Sequence, residues 1–525
     1  MNKNQDGGIL KKGEGDVIMP RKISLFFGAG AELSYGLPSG GKFALDIFRM
    51  DSNPDKQNFR EIRDNLNKTS FYATTWLPES FWTKNIQSFG KPHYEALVKG
   101  SLENKGYKIL QYLDNFDENV GRIIERMRSS AIDINEKFAE VTGIEVGQVI
   151  YSHNIRLSNL MGDHNGLFGS HYFSAFIKVL ETEGMEHSFK MNMQKIVKSI
   201  LELLIGSCGE NLIRCLNEGI FERNIDTIDV FDDIGGIFSL DYKRVGISGL
   251  EYIIDSEEVT LDHTTNSKTV IIEFGKMILE DIFSQALDYQ ELIDNNWRYV
   301  YSPKTDWAKF CRIIIFLNTA KRYIQSIADE HRERCLSGPG YYHDVAALIG
   351  VFDIKSVGTT NYNTFIQDVI GTEVHFLNGC INDMYDPYLN QIVSSQDNTH
   401  ITVPFLFTQS GIKPLTSITM SKRYVNLYDE FSQSDIICVI GYGFNSDDGH
   451  INGIFRSLIE EEGKEIVILH HSRHLIQNIE SVKREYQKKL RLNSIQGINI
   501  MVVDDDRRIL SDQYWFEKLI ETYDL

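Results

Sequence analysis

The sequence predicts an α/β fold, in which a doubly wound, mostly parallel sheet is interrupted by a long, mainly helical insertion. Three observations support this prediction. Residues 21–50 have the pattern strand, glycine-rich loop, helix, and residues 51–339 mostly place apolar side chains at helical spacing. From residue 340, short β-branched runs alternate with helical patterns. Strands that alternate with helices form parallel sheets with both faces covered.

The predicted strands are short apolar runs bounded by polar or glycine-rich segments. The first, KISLFF (22–27), precedes the predicted helix GKFALDIFRM (41–50). Later runs of the same kind are IKSVG (354–358), DIICVI (435–440), EIVIL (465–469) and INIMVV (498–503). DIICVI is followed by the helical pattern HINGIFRSLIEEE (450–462). These strands are predicted to form one sheet.

The insertion is predicted to be helical where apolar residues recur every three or four positions, as in 121–130, 191–206 and 306–331. The stretch Asp226–Ile272 is richer in glycine and β-branched residues, and we expect a few strands there. The predicted organisation is a flexible tail (1–20), the first part of the α/β core (21–50), the helical insertion (51–339) and the second part of the core (340–525).

Composition excludes several classes of function. Lys and Arg number 54 and Asp and Glu 73, which gives a net charge of −19. Such a chain is poorly suited to coat nucleic acid or an anionic membrane. No apolar run approaches the roughly 18 residues that a membrane helix needs. The six cysteines form no CxxC pair, so we expect no four-thiolate zinc site and a reduced, cytoplasmic protein.

A glycine-rich segment follows the first predicted strand. In FFGAGAELSYGLPSGG (26–41), Gly28 and Gly30 come directly after the strand, where glycine lets the backbone approach a pyrophosphate closely. Leu33 stands where the dehydrogenase fingerprint has its third glycine. On these residues alone, a phosphate-binding loop and an ordinary strand-to-helix turn both remain open.

Three later segments form a set of motifs together with this glycine loop. They are VGTTNYNTF with VHFLNG (357–365 and 374–379), VPFLFTQSGIKPLTS (403–417) and VIGYGFNSDDGHINGIF (439–455). With GAGA and GLPSG, they resemble the SIR2-like domain of the sirtuin superfamily, most closely the bacterial NAD-hydrolysing effectors of anti-phage defence. TTNYN is similar to the family's TTNYD motif, FLNG lies where the family has a His-Gly pair, and IGYGFNSDDGHIN is similar to its later ribose- and phosphate-contacting loop. The resemblance covers about 21–50 and 350–525.

This resemblance implies a Rossmann-like core and an NAD+ glycohydrolase that cleaves the nicotinamide–ribose bond. In the family such enzymes deplete NAD in infected cells, so a partner defence protein or a phage-derived trigger is expected to activate the chain. We expect a homo-oligomer, a partner contact, or both, with the insertion as the place for them. NAD is then the substrate, and no metal, membrane or direct nucleic-acid contact is expected.

The resemblance also implies roles for individual residues. Asn361 is the amide that positions the attacking water, and Asn363 replaces an aspartate that contacts the nicotinamide amide. The family's histidine position holds Asn378, which cannot act as a base near neutral pH, so His375 is the catalytic candidate that supplies an imidazole. His343 and His450 are further candidates. The predicted NAD-binding residues are Gly28, Ala29, Gly30, Ala31, Pro38, Ser39, Thr360, Asn363, Asn378, Gly441, Tyr442, Gly443 and Asn445.

Other functions remain open at this stage. Asn378 in place of histidine favours a non-catalytic subunit that binds NAD or ADP-ribose. A sirtuin-type protein deacylase is disfavoured because the chain lacks a four-cysteine zinc module. A dehydrogenase is disfavoured by Leu33 at the third glycine position.

Overall fold

The computed structural model describes residues 20–38, 40–150, 166–208, 246–256, 259–287, 289–393, 399–406, 417–445, 448–472, 478–509 and 512–523. Residues 1–19 of the predicted tail lie outside this set. The chain divides into two compact units. The sheet unit comprises Met1–Tyr35, Arg332–Leu377 and Ser421–Leu525, and the helical unit comprises Gly36–His331 and Asn378–Met420.

Six parallel strands form the central sheet of the sheet unit. In chain order they are β1 (Lys22–Phe27), β2 (Asp353–Thr359), β3 (Val374–Phe376), β4 (Ile436–Ile440), β5 (Glu465–His471) and β6 (Ile498–Val503). Their spatial order is β3-β2-β1-β4-β5-β6, and every neighbouring pair is parallel. This 3-2-1-4-5-6 order is that of Rossmann-like dinucleotide-binding domains.

The strands form where the apolar, β-branched runs predict them. All five residues of β4 are buried, and all but the first residue of β1 are buried. Strands that are buried on both faces are continuously apolar rather than alternating, which explains runs such as IICVI. The predictions of an α/β class, of five strands in one sheet and of its parallel character are confirmed.

The helices of the sheet unit lie between and after these strands. They are α1 (Tyr341–Asp344), α2 (Phe365–Ile370), α3 (Ile418–Ser432), α4 (Gly449–Glu460), α5 (Ile479–Leu490) and α6 (Trp515–Tyr523). The loop after β1 forms a 3-10 helix over Ala29–Tyr35, and a second spans Val345–Ala347. A two-stranded antiparallel ribbon joins Arg508–Ile509 to Gln513–Tyr514. Helix α4 confirms the helix predicted after the fourth strand.

The helical unit is built mainly of α-helices. Their bounds are Gly40–Arg49, Asn53–Asn65, Phe71–Trp76, Lys91–Asp114, Phe116–Ser129, Ile134–Thr142, His171–Glu181, His187–Cys208, Ile247–Ile254, Ser267–Ala286, Gln290–Trp297 and Trp307–Ser337. Short 3-10 helices span Phe81–Thr83, Gly166–Gly169 and Arg298–Tyr301. The helical patterns at 121–130, 191–206 and 306–331 fall within three of these helices, except that the first and the third pattern each extend one residue beyond a helix end.

The strands expected in Asp226–Ile272 are not found in its described part. Residues 226–245 and 257–258 lie outside the described residues, whereas Ile247–Ile254 and the start of Ser267–Ala286 are helical. One glycine of this stretch serves helix packing: a Cβ on Gly249, in Ile247–Ile254, would lie 2.9 Å from the side chain of Ser199 in His187–Cys208. This glycine therefore reflects close contact between two helices rather than a strand.

The units differ from the predicted organisation at two segments. Helix Gly40–Arg49 belongs to the helical unit, where Tyr323 donates a 2.7 Å hydrogen bond to Asp46. Residues 378–420 also belong there, with a small antiparallel sheet formed by Met384–Asp386, Gln391–Val393 and Val403–Pro404. Aromatic packing explains the second case, since the ring centroids of Tyr72 and His400 are 4.3 Å apart.

Candidate functional site

The strand order creates a switch point at the carboxyl ends of β1 and β4. The chain passes outward from β1 through β2 and β3, then continues on the other side of β1 with β4. In open α/β sheets, ligands bind outside the carboxyl ends of the strands at such a point. The residues that follow β1, β2 and β4 are Gly28, Thr360 and Gly441, so three of the four motifs meet at this edge.

Two glycine loops pack backbone against backbone at the switch point. The N–H of Gly28 donates to the carbonyl of Ile440, and the N–H of Gly30 donates to that of Gly441, both at 2.9 Å. A Cβ on Gly28 would lie 2.6 Å from the Gly441 oxygen, and one on Gly30 would lie 2.9 Å from it. Gly441 has φ +66°, and a Cβ there would lie 2.1 Å from the nitrogen of Ala31. All three positions therefore require glycine.

This packing changes the interpretation of the glycine loop. A phosphate-binding loop would present the N–H groups of Gly28 and Gly30 to the ligand, but both donate to the loop after β4. Ala31 is buried, and its N–H donates to the carbonyl of Gly28. Ala29 and Gly443 are exposed at the surface of these loops. A side chain at Gly30 would disturb the contact between the loops before it affected any ligand.

Asn361 lies two residues beyond β2 and is only 4% exposed. Its Nδ2 donates to the carbonyl of Gly28 at 3.2 Å and to the hydroxyl of Tyr342 at 2.9 Å. A carbonyl can only accept, so the Gly28 contact fixes which way the amide faces. Both amide hydrogens are used, and Oδ1 is the atom left to accept a hydrogen bond from a ligand or a water.

A buried carboxylate, Glu32, lies beside this amide. Its Oε1 accepts a 2.7 Å hydrogen bond from the hydroxyl of Tyr342 and another of 2.7 Å from Nδ2 of Asn363. The N–H of Phe365 donates to Oδ1 of Asn363, and this backbone donor fixes the second amide as well. Glu32 is 8% exposed, and it links the two asparagines to which the resemblance assigns roles.

The environment of Glu32 alters its acidity. Burial raises its pKa from 4.5 to about 7; the hydrogen bonds from Tyr342 and Asn363, and the nearby amide of Asn361, lower it only in part. Burial also raises the pKa of Tyr342 well above its usual value, so the hydroxyl keeps its proton and remains a donor. A buried carboxyl with such a pKa, at the ligand edge of an α/β sheet, is a candidate functional group.

Sequence reasoning missed Glu32 and Tyr342. Tyr342 is distant in sequence, and only the fold brings α1 against β1, where the rings of Tyr342 and Phe27 are 5.3 Å apart. Glu32 had a local signal: it lies directly after the glycine turn and three residues before Tyr35, which is fully buried. A carboxylate on a buried helical face needs a partner or a function.

His375 lies outside this cluster. It occupies the middle of β3, and its Nε2 is 2.8 Å from Oε2 of Glu430 on α3. The hydrogen bonds of Asn361 go instead to Gly28 and Tyr342. His375 pairs in register with Gly358, which is one residue before the end of β2 and three residues before Asn361. The structure therefore brings Asn361 and Asn363 together but places His375 with a different partner.

The alternative histidines are also engaged. Nε2 of His343 faces the carbonyl of Leu336 at 3.1 Å, so this nitrogen carries the hydrogen and Nδ1 accepts from the hydroxyl of Tyr35. Nε2 of His450 is 2.9 Å from the hydroxyl of Tyr424. None of these three contacts involves Asn361.

The other predicted binding residues differ in position. The N–H of Thr360 continues the sheet pairing by donating to Phe27, and Tyr442 is buried with its ring 5.1 Å from that of Phe26. Asn445 is exposed, and its carbonyl accepts a 2.8 Å hydrogen bond from Asn452. Tyr442 therefore contributes to the core, whereas Asn445 lies at the surface.

Three predicted binding residues do not belong to the described sheet unit. Pro38 and Asn378 are part of the helical unit, where Asn378 is buried, and Ser39 lies outside the described residues. Most of the segment 403–417 is outside them as well.

Comparison with known proteins found no matching family model and no matching curated protein. Within the described ranges, no group of three or more His, Cys, Asp or Glu side chains could hold a metal ion. None of the helices in the described part of the chain combines the length and hydrophobicity needed to cross a bilayer. The absence of a metal requirement stays a prediction.

Proposed function

We propose that the sheet unit binds NAD at the carboxyl ends of β1, β2 and β4 and hydrolyses its nicotinamide–ribose bond. The orientation of Asn361 is the observation that supports this most. The Gly28 carbonyl fixes the amide so that Oδ1 remains to accept a hydrogen bond. The dinucleotide-binding strand order and the motif resemblance provide the second and third lines of support.

The chemistry requires little of the protein. Cleavage passes through an oxocarbenium-like state, and the cationic pyridinium leaves as neutral nicotinamide, so no general acid is needed. The site must hold a water beneath the anomeric carbon and remove its proton. An amide oxygen that accepts a hydrogen bond from the water meets the first need, and Asn361 supplies one.

Loss of NAD would harm the cell that makes the enzyme, so its activity must be restrained. On the resemblance, we propose that the chain is an effector of antiviral defence in the cytoplasm that depletes NAD once a partner protein or a phage-derived trigger activates it. The helical unit offers the surface for that partner or for a homo-oligomer.

A second candidate is a non-catalytic subunit that binds NAD or ADP-ribose. Two observations favour it: Asn378 occupies the position where the family has histidine, and the imidazole of His375 hydrogen bonds to Glu430 rather than to Asn361. A pocket with an oriented amide and no base would bind the nucleotide without turning it over.

The test is nicotinamide release by the purified chain incubated with NAD, with and without lysate from phage-infected cells. The parent should release nicotinamide when triggered. Asn361→Ala should lower turnover by about a hundredfold or more, because the water is no longer positioned. The variant also loses two hydrogen bonds, so Asn296→Ala, which removes a buried amide in the helical unit, is the matched control with normal turnover.

The outcomes separate the candidates. A parent that binds NAD in calorimetry but releases no nicotinamide under any trigger would support the non-catalytic subunit. A parent that binds no NAD would exclude both the hydrolase and the binding subunit. His375→Ala belongs in the same assay: a loss comparable to that of Asn361→Ala would assign the proton transfer to His375, despite its contact with Glu430.

A further inference from the structure

We propose that Glu32 accepts the proton of the attacking water and that Oε2 is the atom that receives it. This inference rests on the proposed hydrolysis of NAD at Asn361. It supplies the base that the asparagine at position 378 cannot provide, since an amide does not take up a proton near neutral pH.

The hydrogen-bond directions leave only one oxygen of Glu32 for this task. Tyr342 and Asn363 both donate to Oε1, and the backbone contacts described above fix both donors. A proton on this carboxyl is therefore held by Oε2. The hydroxyl of Tyr342 also accepts from Asn361, so a single side chain separates the proposed base from the amide that positions the water.

The groups that face Glu32 do not neutralise its charge. Tyr342 on α1 and Asn363 before α2 are neutral donors. Cys335 lies in the last part of the helix Trp307–Ser337, which from Arg332 onward belongs to the sheet unit. Burial first, and the charge of Glu32 second, raise the pKa of its thiol to about 12. Tyrosine and thiol therefore stay protonated near pH 7, where the raised pKa of Glu32 makes its carboxylate basic enough to take a proton.

The competing imidazoles are bonded elsewhere. His343 uses one ring nitrogen for the Leu336 carbonyl and the other for Tyr35, and His375 contacts Glu430. Among the described residues, Glu32 is the carboxyl joined to Asn361 through one hydroxyl. This hydrogen-bonded connection through Tyr342, rather than proximity in sequence, is the reason we assign the proton transfer to Glu32.

The step balances without any co-reactant. The water oxygen forms a bond to the anomeric carbon, while the bond from that carbon to the ring nitrogen of nicotinamide breaks. The electron pair of the broken bond stays on the nitrogen, so nicotinamide leaves neutral. The proton of the water passes to Glu32, and its release to solvent restores the carboxylate. The products are ADP-ribose, nicotinamide and one proton.

The test compares the pH dependence of kcat for the parent and Glu32→Gln in the triggered assay. Glutamine can keep both hydrogen bonds on its Oε1 but cannot take up the proton. The parent kcat should rise as pH increases through about 7, because the base must be ionised. Glu32→Gln should lower kcat by about a hundredfold or more, remove that rise and leave NAD affinity unchanged.

Glu202→Gln is the matched control, since Glu202 is a buried glutamate of the helical unit that accepts a hydrogen bond from Ser248. It should keep the parent profile. If Glu32→Gln fails to fold, Tyr342→Phe replaces it: loss of a hydrogen bond that lowers the Glu32 pKa should move the rise in kcat to higher pH.

Two results would overturn the role of Glu32 while leaving the proposed function intact. One is an active Glu32→Gln with the parent pH profile, and the other is an active Tyr342→Phe whose profile does not move. A parent that never releases nicotinamide would overturn the hydrolysis itself and this inference with it.

Discussion

Helix α1 contains one carboxylate, Asp344, and donates a hydrogen bond to another, Glu32. The two carboxylates are stabilised in different ways. Asp344 receives 2.8 Å hydrogen bonds from Nε of Arg507 and from the indole of Trp515. Glu32 receives its hydrogen bonds from a neutral hydroxyl and a neutral amide, and its pKa rises to about 7. The first carboxylate is paired with a cation, whereas the second is not.

This difference in hydrogen-bond donors identifies Asp344 as the structural carboxylate of the two. A guanidinium compensates for the water that a buried carboxylate loses, whereas neutral donors compensate for only part of it. Asp344 therefore joins α1 to Arg507 and Trp515 and contributes to stability. Burial raises the pKa of Glu32 to about 7, which costs stability, and the proton transfer that we propose for Glu32 would explain why such a group is kept.

Loss of the Asp344 charge should lower the stability of the protein more than any other change considered below. Asp344→Asn removes the negative charge and leaves Arg507, whose side chain is 11% exposed, without its counter-charge. The free energy of unfolding in denaturant at neutral pH should fall by about 3–5 kcal/mol. Asp505→Asn is the control, because the exposed contact of Asp505 with His471 should contribute about 1 kcal/mol or less. Equal effects of the two variants would show that burial does not distinguish these pairs.

Loss of the Glu32 charge should have the opposite effect on the free energy of unfolding. Because its folded pKa is raised from 4.5 to about 7, the folded state holds a proton that the unfolded state has lost between these values. Unfolding free energy of the parent should therefore fall by about 3 kcal/mol as pH rises through this window, and then level off. Glu32→Gln has no such titration, so its stability relative to the parent should increase with pH. Parallel pH curves for the two proteins would mean that Glu32 titrates normally.

Five strands of the central sheet and the main helices could be predicted from the sequence, but the grouping of the elements into two units could not. Runs such as DIICVI predict buried strands because apolar, β-branched side chains must be covered on both faces. The assignment of Gly40–Arg49 and 378–420 to the helical unit depends on contacts between distant residues, such as Tyr323 with Asp46. No local pattern contains that information.

The same limit applies to the candidate site. Gly28, Asn361 and Gly441 could be placed together from the sequence because carboxyl ends of parallel strands share one edge. The bond from Tyr342 to Glu32 joins residues 310 positions apart, so it could not be predicted. Residue type and nearness to position 378 favour His375 in the sequence, whereas its contact with Glu430 is visible only in the fold.

The most direct test of the comparison is an infrared pH titration of the parent, of Glu32→Gln and of Asp344→Asn. A protonated carboxyl has a carbonyl stretch that disappears on ionisation. We expect such a band in the parent, with a midpoint of loss near pH 7; the band should be absent from Glu32→Gln and retained in Asp344→Asn. A parent without a carboxyl band that titrates near this pH, or an identical band in Glu32→Gln, would contradict the claim that Glu32 is the uncompensated carboxylate of the site.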